Sequence, residues 1–577
     1  MAVHPPGSQF PRFLVSQLAL GLTMLLGIAP AFAELPLPTY PECGQGGACP
    51  NDFDPLGEWD LGSGHPINEL NVPADERPFG SGAWVDRAWN LTTGRTDVVI
   101  AVMDSGIEWG QGELLNKHFL NPGELPFPQN AAGEDIGSYD LNGDGLHNIR
   151  DWADDPRVEP DSAGYPDLHA HTILDPSDLI AIFSDGVDDD GNGYVDDISG
   201  WDFFWNDNDP YDEIQQDGYS HGSKEGRWSV AEGNGAGGSI GSCPNCMLLP
   251  LRVGDGFVAD VNNFGQAALY AVDMEVGVIQ EALGTLNNTQ LAVDAIEYAW
   301  DRGVVIIGSA ADETAWHHNM PGANHHVLYT HAIRHDSQDP DGAGSWFAFS
   351  NCTNYGARLD LSVAAEGCSS GAVGRGAGIA GLLVSAARDA LDDGILDTPL
   401  TSNEFYQLLV HGVDDVAFNP DDDDPERYPS HPGWDQYFGY GRLNAHKGVS
   451  AIYAGDIPPE ADLLSPQWFS VYNLATTSSL DVTGLARAAR ADGLTWELQV
   501  AGGADPRDDE FEVLESGTGP VEGTLTRLNL RSLPMDPGAV IEAYDRTDTN
   551  VSKAAKVHIH SVTLRIVVLD SEGRRGE

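Results

Sequence analysis

From about Thr96 to Ala454 the hydrophobic positions alternate between two textures. Short unbroken apolar runs at 97–103, 247–253, 276–281 and 304–311 predict strands buried on both faces. Between them, 263–272 and 292–300 carry apolar residues at helical spacing, and 377–391 is the longest apolar helix. Strands of this kind separated by helices predict an α/β fold, a parallel sheet with helices on both faces. After Gly455 the texture changes. Pro458, Pro459 and Pro466 open a region of short alternating runs such as 495–500 and 564–569, which predicts a small β-sandwich over 456–577.

The start of the chain has a different character. Arg12, an apolar run over 13–29 and Ala31-Phe32-Ala33 before Glu34 read as a signal peptide over 1–33, which predicts a secreted or periplasmic protein with no membrane attachment after cleavage. Without cleavage the same run would serve as an anchor. Six cysteines fall into local pairs, Cys43/Cys49, Cys243/Cys246 and Cys352/Cys368, and fit three disulfides of an oxidising compartment. Zinc is the competing reading for Cys243 and Cys246, although no second ligand pair stands nearby in sequence. With 29 basic against 89 acidic side chains the net charge is −60, which repels phosphate backbones and anionic lipid and excludes nucleic acid as a partner.

Much of that acid lies in one stretch, 134–217. There Asp140, Asn142, Asp144, Asn148 and Asp151 take positions 1, 3, 5, 9 and 12 of a twelve-residue loop with Gly145 at 6, the spacing of a calcium loop. A second loop offers Asp188, Asp190, Asn192 and Asp196 at 1, 3, 5 and 9, with Ser199 at 12 and Asp197 nearby. The expected cofactor is therefore structural Ca2+. Asp421 to Asp424 lack this spacing and read as a solvated turn.

Candidate chemistry begins at the end of the first strand, where Asp104-Ser105-Gly106 puts a carboxylate at the carboxyl end of a buried parallel strand, the place where α/β sheets hold their ligands. Ser220-His221-Gly222-Ser223 follows, then Asn234 and Gly235 before the run at 247–253. Further on stand Ala282-Leu283-Gly284, Phe349-Ser350-Asn351 with Tyr355-Gly356, and Gly439-Tyr440-Gly441-Arg442-Leu443-Asn444. Taken in order, these segments resemble the subtilase family of serine peptidases over roughly residues 80 to 450.

The resemblance implies a peptidase S8 domain over 91–455 containing the 134–217 insertion, preceded by an N-terminal segment over 34–90 that is short for the family's folding propeptide. It implies Asp104 as the orienting carboxylate, His221 as the general base and Ala282, Leu283 and Gly284 as a substrate-binding strand. Two positions depart from the pattern. Aligning Ile379-Ala380-Gly381 with the end of the family's nucleophile motif puts Val373 at the nucleophile, and the oxyanion position is Asp312. Loss of the nucleophile costs about 10⁶ in turnover, and loss of an oxyanion donor costs roughly 3 kcal/mol. An ionised carboxylate about 4 Å from the oxyanion adds up to about 4 kcal/mol of repulsion at an effective dielectric near 20. The expectation is a pseudopeptidase that binds a peptide or protein ligand in its groove. The first alternative is an active endopeptidase using Ser370 of Cys368-Ser369-Ser370-Gly371, and the second is a calcium-stabilised adhesion or matrix module.

Overall fold

In the computed structural model, described at residues 36–53 apart from 44 and 46, 60–63, 82–160, 173–212, 220–233, 239–256, 259–333, 353–365, 367–417, 430–534 and 561–577, the chain enters its main core early. Cys43, Phe53 and Leu61 join the short helix α1 (Val85–Ala88) and Trp89 in that core, so these described parts of 34–90 are built into the fold. The expected signal segment, Asn234, Gly235, Phe349 to Cys352 and Asp421 to Asp424 lie outside the described residues.

The sheet starts with β1 (Val99–Asp104), followed by α2 (Pro176–Phe183), β2 (Trp201–Asp202), α3 (His221–Val230), β3 (Met247–Arg252), α4 (Val261–Asp273), β4 (Val278–Glu281), α5 (Gln290–Trp300), β5 (Val305–Ser309), β6 (Leu328–Ile333) and β7 (Leu361–Ala364). Then come α6 (Ser369–Asp392), α7 (Ser402–His411), β8 (Val413–Asp414), β9 (Arg442–Leu443) and α8 (Ala445–Ala454). Strand order is β2-β3-β1-β4-β5-β6-β7-β9-β8, parallel throughout except for the β8–β9 pair. One apolar cluster below the sheet contains α6 residues, and another above it is built on α4 and α5. Every residue of β1 is buried, which explains why its sequence is an apolar run without alternation.

β3 pairs with one edge of β1 and β4 with the other. The chain therefore reverses direction across the sheet at β1, and the carboxyl end of β1 is a topological switch point where a crevice opens. Asp104 stands there. The expected helix at 377–391 begins eight residues earlier, at Ser369. Gly371, Gly374, Gly376 and Gly378 lower intrinsic helix propensity and blur the periodicity, but Gly374 and Gly378 let α6 press against α3, beside the Glu225 and Ser229 carbonyls, while Gly376 faces Ile307 and Val363 of the sheet.

The C-terminal strands β10 (Glu460–Ser465), β11 (Ser479–Arg487), β12 (Leu494–Gly502), β13 (Glu512–Thr518), β14 (Val521–Asn529), β15 (Val562–Asp570) and β16 (Arg575–Gly576) form two sheets, β10-β11-β14 and β13-β12-β15-β16. Val482, Leu498, Trp496, Ile566 and Val568 share the core between them, as in a sandwich. No helix among the described residues is long and apolar enough to cross a membrane.

A clasp ties β10 to the parallel sheet. Asp462 accepts from His325 Nε2 at 2.9 Å and His326 Nε2 at 2.8 Å, while His326 Nδ1 faces Glu297 at 3.0 Å and its ring stacks on Trp300. Burial opposes charge on His326, but hydrogen bonds and attraction from Asp462 and Glu297 prevail and raise its pKa to about 9. Its stabilising share is thus complete below about pH 6.5 and lost as pH rises through about 9. Asp462 is depressed, so its share is present above about pH 4. His326→Gln is expected to remove on the order of 3 kcal/mol at pH 6, and little at pH 10, in urea titrations. An equal loss at both values would contradict the clasp.

Candidate active site

Two tight turns bring Asp104 and His221 together. Gly106 adopts φ +108°, and a Cβ at Gly222 would collide with the Gly106 carbonyl and press on Asp104 Cβ, so the glycine after each functional residue is a packing requirement. Asp212 staples the turns, accepting from Ser105 Oγ at 2.7 Å and Ser220 Oγ at 2.7 Å. Ser220 also caps α3 by accepting from the Ser223 N–H, which makes His221 the first residue of that helix.

His221 Nδ1 lies 2.7 Å from Asp104 Oδ1, which also accepts from the Ser105 N–H at 2.7 Å. On the other side of the ring, Nε2 stands 3.1 Å from Ser370 Oγ. Ser370 Oγ also donates to the Ala282 carbonyl at 3.2 Å. Val373 is the position that the alignment gives for the nucleophile. Val373 is fully buried in the main core, and Ser370 is the residue beside the imidazole. Three residues along a helix rotate a side chain by about 60° and advance it by about 4.5 Å, enough to carry position 373 out of the crevice. The α6 helix begins early enough to put Ser370 in its first turn, so the loop needs no rebuilding.

Asp312 follows β5 and the left-handed residue Ala311, φ 64°. Its Oδ1 accepts from the Ser369 N–H at 2.9 Å and from Ser369 Oγ at 2.6 Å, and Ser369 Oγ in turn lies 2.7 Å from Ser309 Oγ. Ser369 thus anchors Asp312 to the start of α6, beside Ser370. Ala282, Leu283 and Gly284 follow directly on β4. Gly284 is packed so closely on Asn319 that no side chain fits there, and Thr285 and Met320 exchange backbone hydrogen bonds at 2.8 and 2.9 Å.

Two further carboxyl groups surround the site, and neither was recognised as part of it from the sequence. Glu225, one helical turn after His221, has Oε1 3.9 Å from Nε2. Glu225 stands in the charged run Lys224-Glu225-Gly226-Arg227, yet it is buried while Lys224 lies over the Trp228 ring. Glu281, read only as a strand end, is wholly buried near Asp104.

Burial drives the Glu281 pKa well above the carboxylate range, with Asp104 adding to it. Burial raises Glu225 to about 7 despite attraction from His221. For His221 burial works downward, but Asp104 and then Glu225 outweigh it, for a value of about 9. Asp312 is raised by desolvation against the opposing Ser369 hydrogen bonds, although one side of the residue remains open to water.

In the acidic insertion, the two expected loops differ. Asp140, Asn142, Asp144, Asn148 and Asp151 spend side-chain oxygens on nearby backbone N–H groups, such as Gly143 and Gly145 on Asp140 and Leu141 on Asp151. The second loop spends oxygens in the same way, with the Gly191 and Gly193 N–H groups on Asp188, but it also brings Asp188 and Asp190 together with Glu124, their carboxylate oxygens within 4.8 Å of one another, an arrangement that could hold a metal ion. Asn192 lies beside Asp190, while Asp196 turns away to accept from the N–H groups of Asp185 and Gly186. Glu124 lies before the insertion and has no motif spacing. Burial raises its pKa, and the crowding of Asp190 and Asp189 adds to the rise, a repulsion that a cation would relieve. Cys43–Cys49 and Cys243–Cys246 are disulfides, which removes zinc from the latter pair. Cys368 is also disulfide-bonded, and Cys352, its expected partner, lies outside the described residues.

The chain is similar to several known proteins. The chain is 26% identical over 292 residues to a thermophilic serine proteinase of Bacillus sp. (strain AK1), covering 47% of this chain and 61% of that protein. It is 31% identical over 271 residues to thermitase of Thermoactinomyces vulgaris, covering 44% and 81%. A solved structure of the prenylagaramide maturation protease PagA superposes with a TM-score of 0.38 at 13% identity, over 64% of this chain and 98% of that one, a likeness too low to bear on function. The family description of subtilases, peptidase S8, matches residues 95–441, more than half of the chain, and spans β1, the His221 turn and the start of α6. The chain belongs to the subtilase family.

Proposed function

We propose that this chain is an exported serine endopeptidase, stabilised by calcium and acylated at Ser370. One observation carries the reading: Ser370 Oγ lies 3.1 Å from the Nε2 of an imidazole whose Nδ1 is held at 2.7 Å by Asp104. In this reading His221 accepts the Ser370 proton as Oγ attacks a peptide carbonyl, and Asp104 fixes the tautomer and stabilises the imidazolium. The first-turn N–H groups of α6 have no intrahelical acceptors, so the Ser370 N–H faces the developing oxyanion. The segment 282–284 binds the extended peptide by its backbone. Export is supported by the two disulfides as well as by the signal-like start of the chain.

The test is a serine-reactive fluorophosphonate followed by peptide mapping. Label on Ser370 of the folded protein, lost in Ser370→Ala, is the expected result. A folded protein that takes no label would return the chain to the pseudopeptidase reading, a groove that binds peptide without cutting it.

Calcium at Glu124, Asp188 and Asp190 makes a separate prediction. Saturating Ca2+ at about 100 times its dissociation constant should stabilise the protein by roughly 2.7 kcal/mol, an increment lost on chelation. Asp188→Asn should abolish the chelator effect on the thermal midpoint and Asp140→Asn should retain it. The reverse pattern would move the ion to the first loop.

A further inference from the structure

Acylation at Ser370 needs one carboxylate on His221, and Asp104 supplies it at Nδ1. The site holds a second. Glu225 follows His221 by four residues on α3, so both side chains rise from one helix face, and its Oε1 stands 3.9 Å from Nε2, the nitrogen that also faces Ser370 Oγ at 3.1 Å. Glu225 is only 1% exposed, and its Oε2 has no hydrogen-bond partner among the described residues. Helix α6 closes over it, since a Cβ at Gly374 would lie 2.8 Å from the Glu225 carbonyl oxygen and 3.2 Å from Oε2. A carboxylate enclosed in this way is stable only with a cation beside it, and the cation that Oε1 meets is the His221 ring.

The charged groups around this pair come from several elements. β1 ends in Asp104, Lys224 adjoins Glu225 on α3, and Asp312 follows β5. Arg375 of α6 is engaged by Asp60, and the α6 residues against the pair, Ser370 and Gly374, are uncharged. Asp104 and Asp312 oppose charge on Glu225 and favour it on His221, while Lys224 acts the other way on both.

We infer that Glu225 is a positioning residue that holds the proton on His221 and thereby moves acylation to alkaline pH, an inference that rests on the Ser370 reading above. Glu225 itself neither gives nor takes a proton in the step. The Ser370 Oγ–C bond forms, the carbonyl π pair moves onto oxygen, and the Ser370 proton passes to His221 Nε2. The new imidazolium then stands between two carboxylates, and it returns the proton to the leaving amine as the C–N bond breaks. The same attraction acts before the reaction, because a resting His221 that already carries a proton cannot accept another. His221 reaches about 9 against its burial and Glu225 about 7 because of it, so the carboxyl ionises before the ring gives up its proton.

Removing the Glu225 charge therefore has two opposed effects. The ring is freed at lower pH, yet once free it is a weaker base. The pH profiles of wild type and variant must cross, whereas a loss of packing lowers the rate alike at every pH.

The experiment is single-turnover acylation of a p-nitrophenyl ester across pH by wild type, Glu225→Gln and Glu225→Val, with Ser370 mapped as the acylated residue. Glutamine keeps the shape and valine leaves an apolar group against α6, so the two variants reach a neutral site by different routes. In both, the acid limb should lie about 1 to 3 pH units lower, with the variant exceeding wild type by about tenfold per unit below the wild-type limb and falling below it on the alkaline plateau. The His221 ring is titrated by NMR in the same three proteins carrying Ser370→Ala, its signal identified by loss in His221→Ala, and its midpoint should drop by the same interval. An acid limb that stays in place or a parallel fall at every pH, with Ser370 still acylated, overturns the inference and leaves the nucleophile standing, as does an unmoved ring midpoint. No acylation of Ser370 in any protein overturns the nucleophile, and with it the role of Glu225 in acylation, even where the ring midpoint moves.

Discussion

Ser370→Ala is expected to lower single-turnover acylation by about 10⁶-fold, with the fold intact. The hydroxyl lies 3.1 Å from His221 Nε2 and no other described hydroxyl shares that position, since Ser369 turns its own toward Asp312 and Ser309. His221→Ala should cost about as much, and the double variant little more, because the two groups act as a unit. Ser369→Ala should keep the label on Ser370. Val373→Ser tests the alignment directly. It should create no second nucleophile and should destabilise the protein by about 1–3 kcal/mol, because a hydroxyl in a fully buried apolar site lacks a partner. If Val373→Ser instead rescued acylation in the Ser370→Ala background, the start of α6 would have been assigned three residues out of register.

The sequence made the layered sheet legible because buried parallel strands are apolar on both faces, a signal that survives without tertiary information. The strands at β1, β3, β4 and β5 and the helices α4 and α5 were all found within a few residues. Asp104 and His221 were singled out for a different reason: the order of the segments that hold them resembles the subtilase family. The start of α6 was not legible, because glycines that serve helix packing weaken the helical pattern, and Val373 came separately, from aligning Ile379-Ala380-Gly381 with the end of the family's motif. Glu225 and Glu281 were hidden by a general limit. A charged residue is assumed to be solvated, and only the fold reveals that these two are enclosed beside an imidazole. The same limit hid Glu124 at the metal cluster, since a ligand distant in sequence has no spacing to betray it.

Asp60 is the last case of a buried acid, and its removal is expected to have the largest effect on stability. It meets Arg375 of α6, with Nε 2.6 Å from Asp60 Oδ2 and both side chains almost wholly enclosed, at 3% and 4% exposure. The guanidinium also donates to the carbonyls of Ile240 at 2.8 Å and Trp228 at 3.3 Å, so Arg375 is fixed in place and cannot swing to water. Asp60→Ala leaves that cation buried with dipoles but without its anion, and a loss of about 3–5 kcal/mol is expected in urea titrations. Asp60→Asn should lose less, because an amide oxygen still accepts from Nε. Replacing both partners together, Asp60→Leu with Arg375→Met, should recover most of the loss, since a desolvated pair contributes little beyond an apolar pair of similar volume. Arg375 lies five residues beyond Ser370 on the same helix, so Asp60→Ala should also slow acylation where Asp60→Asn does not. A change below about 1 kcal/mol in Asp60→Ala would mean that the segment around Asp60 leaves the mature protein, and that Arg375 finds another counter-charge.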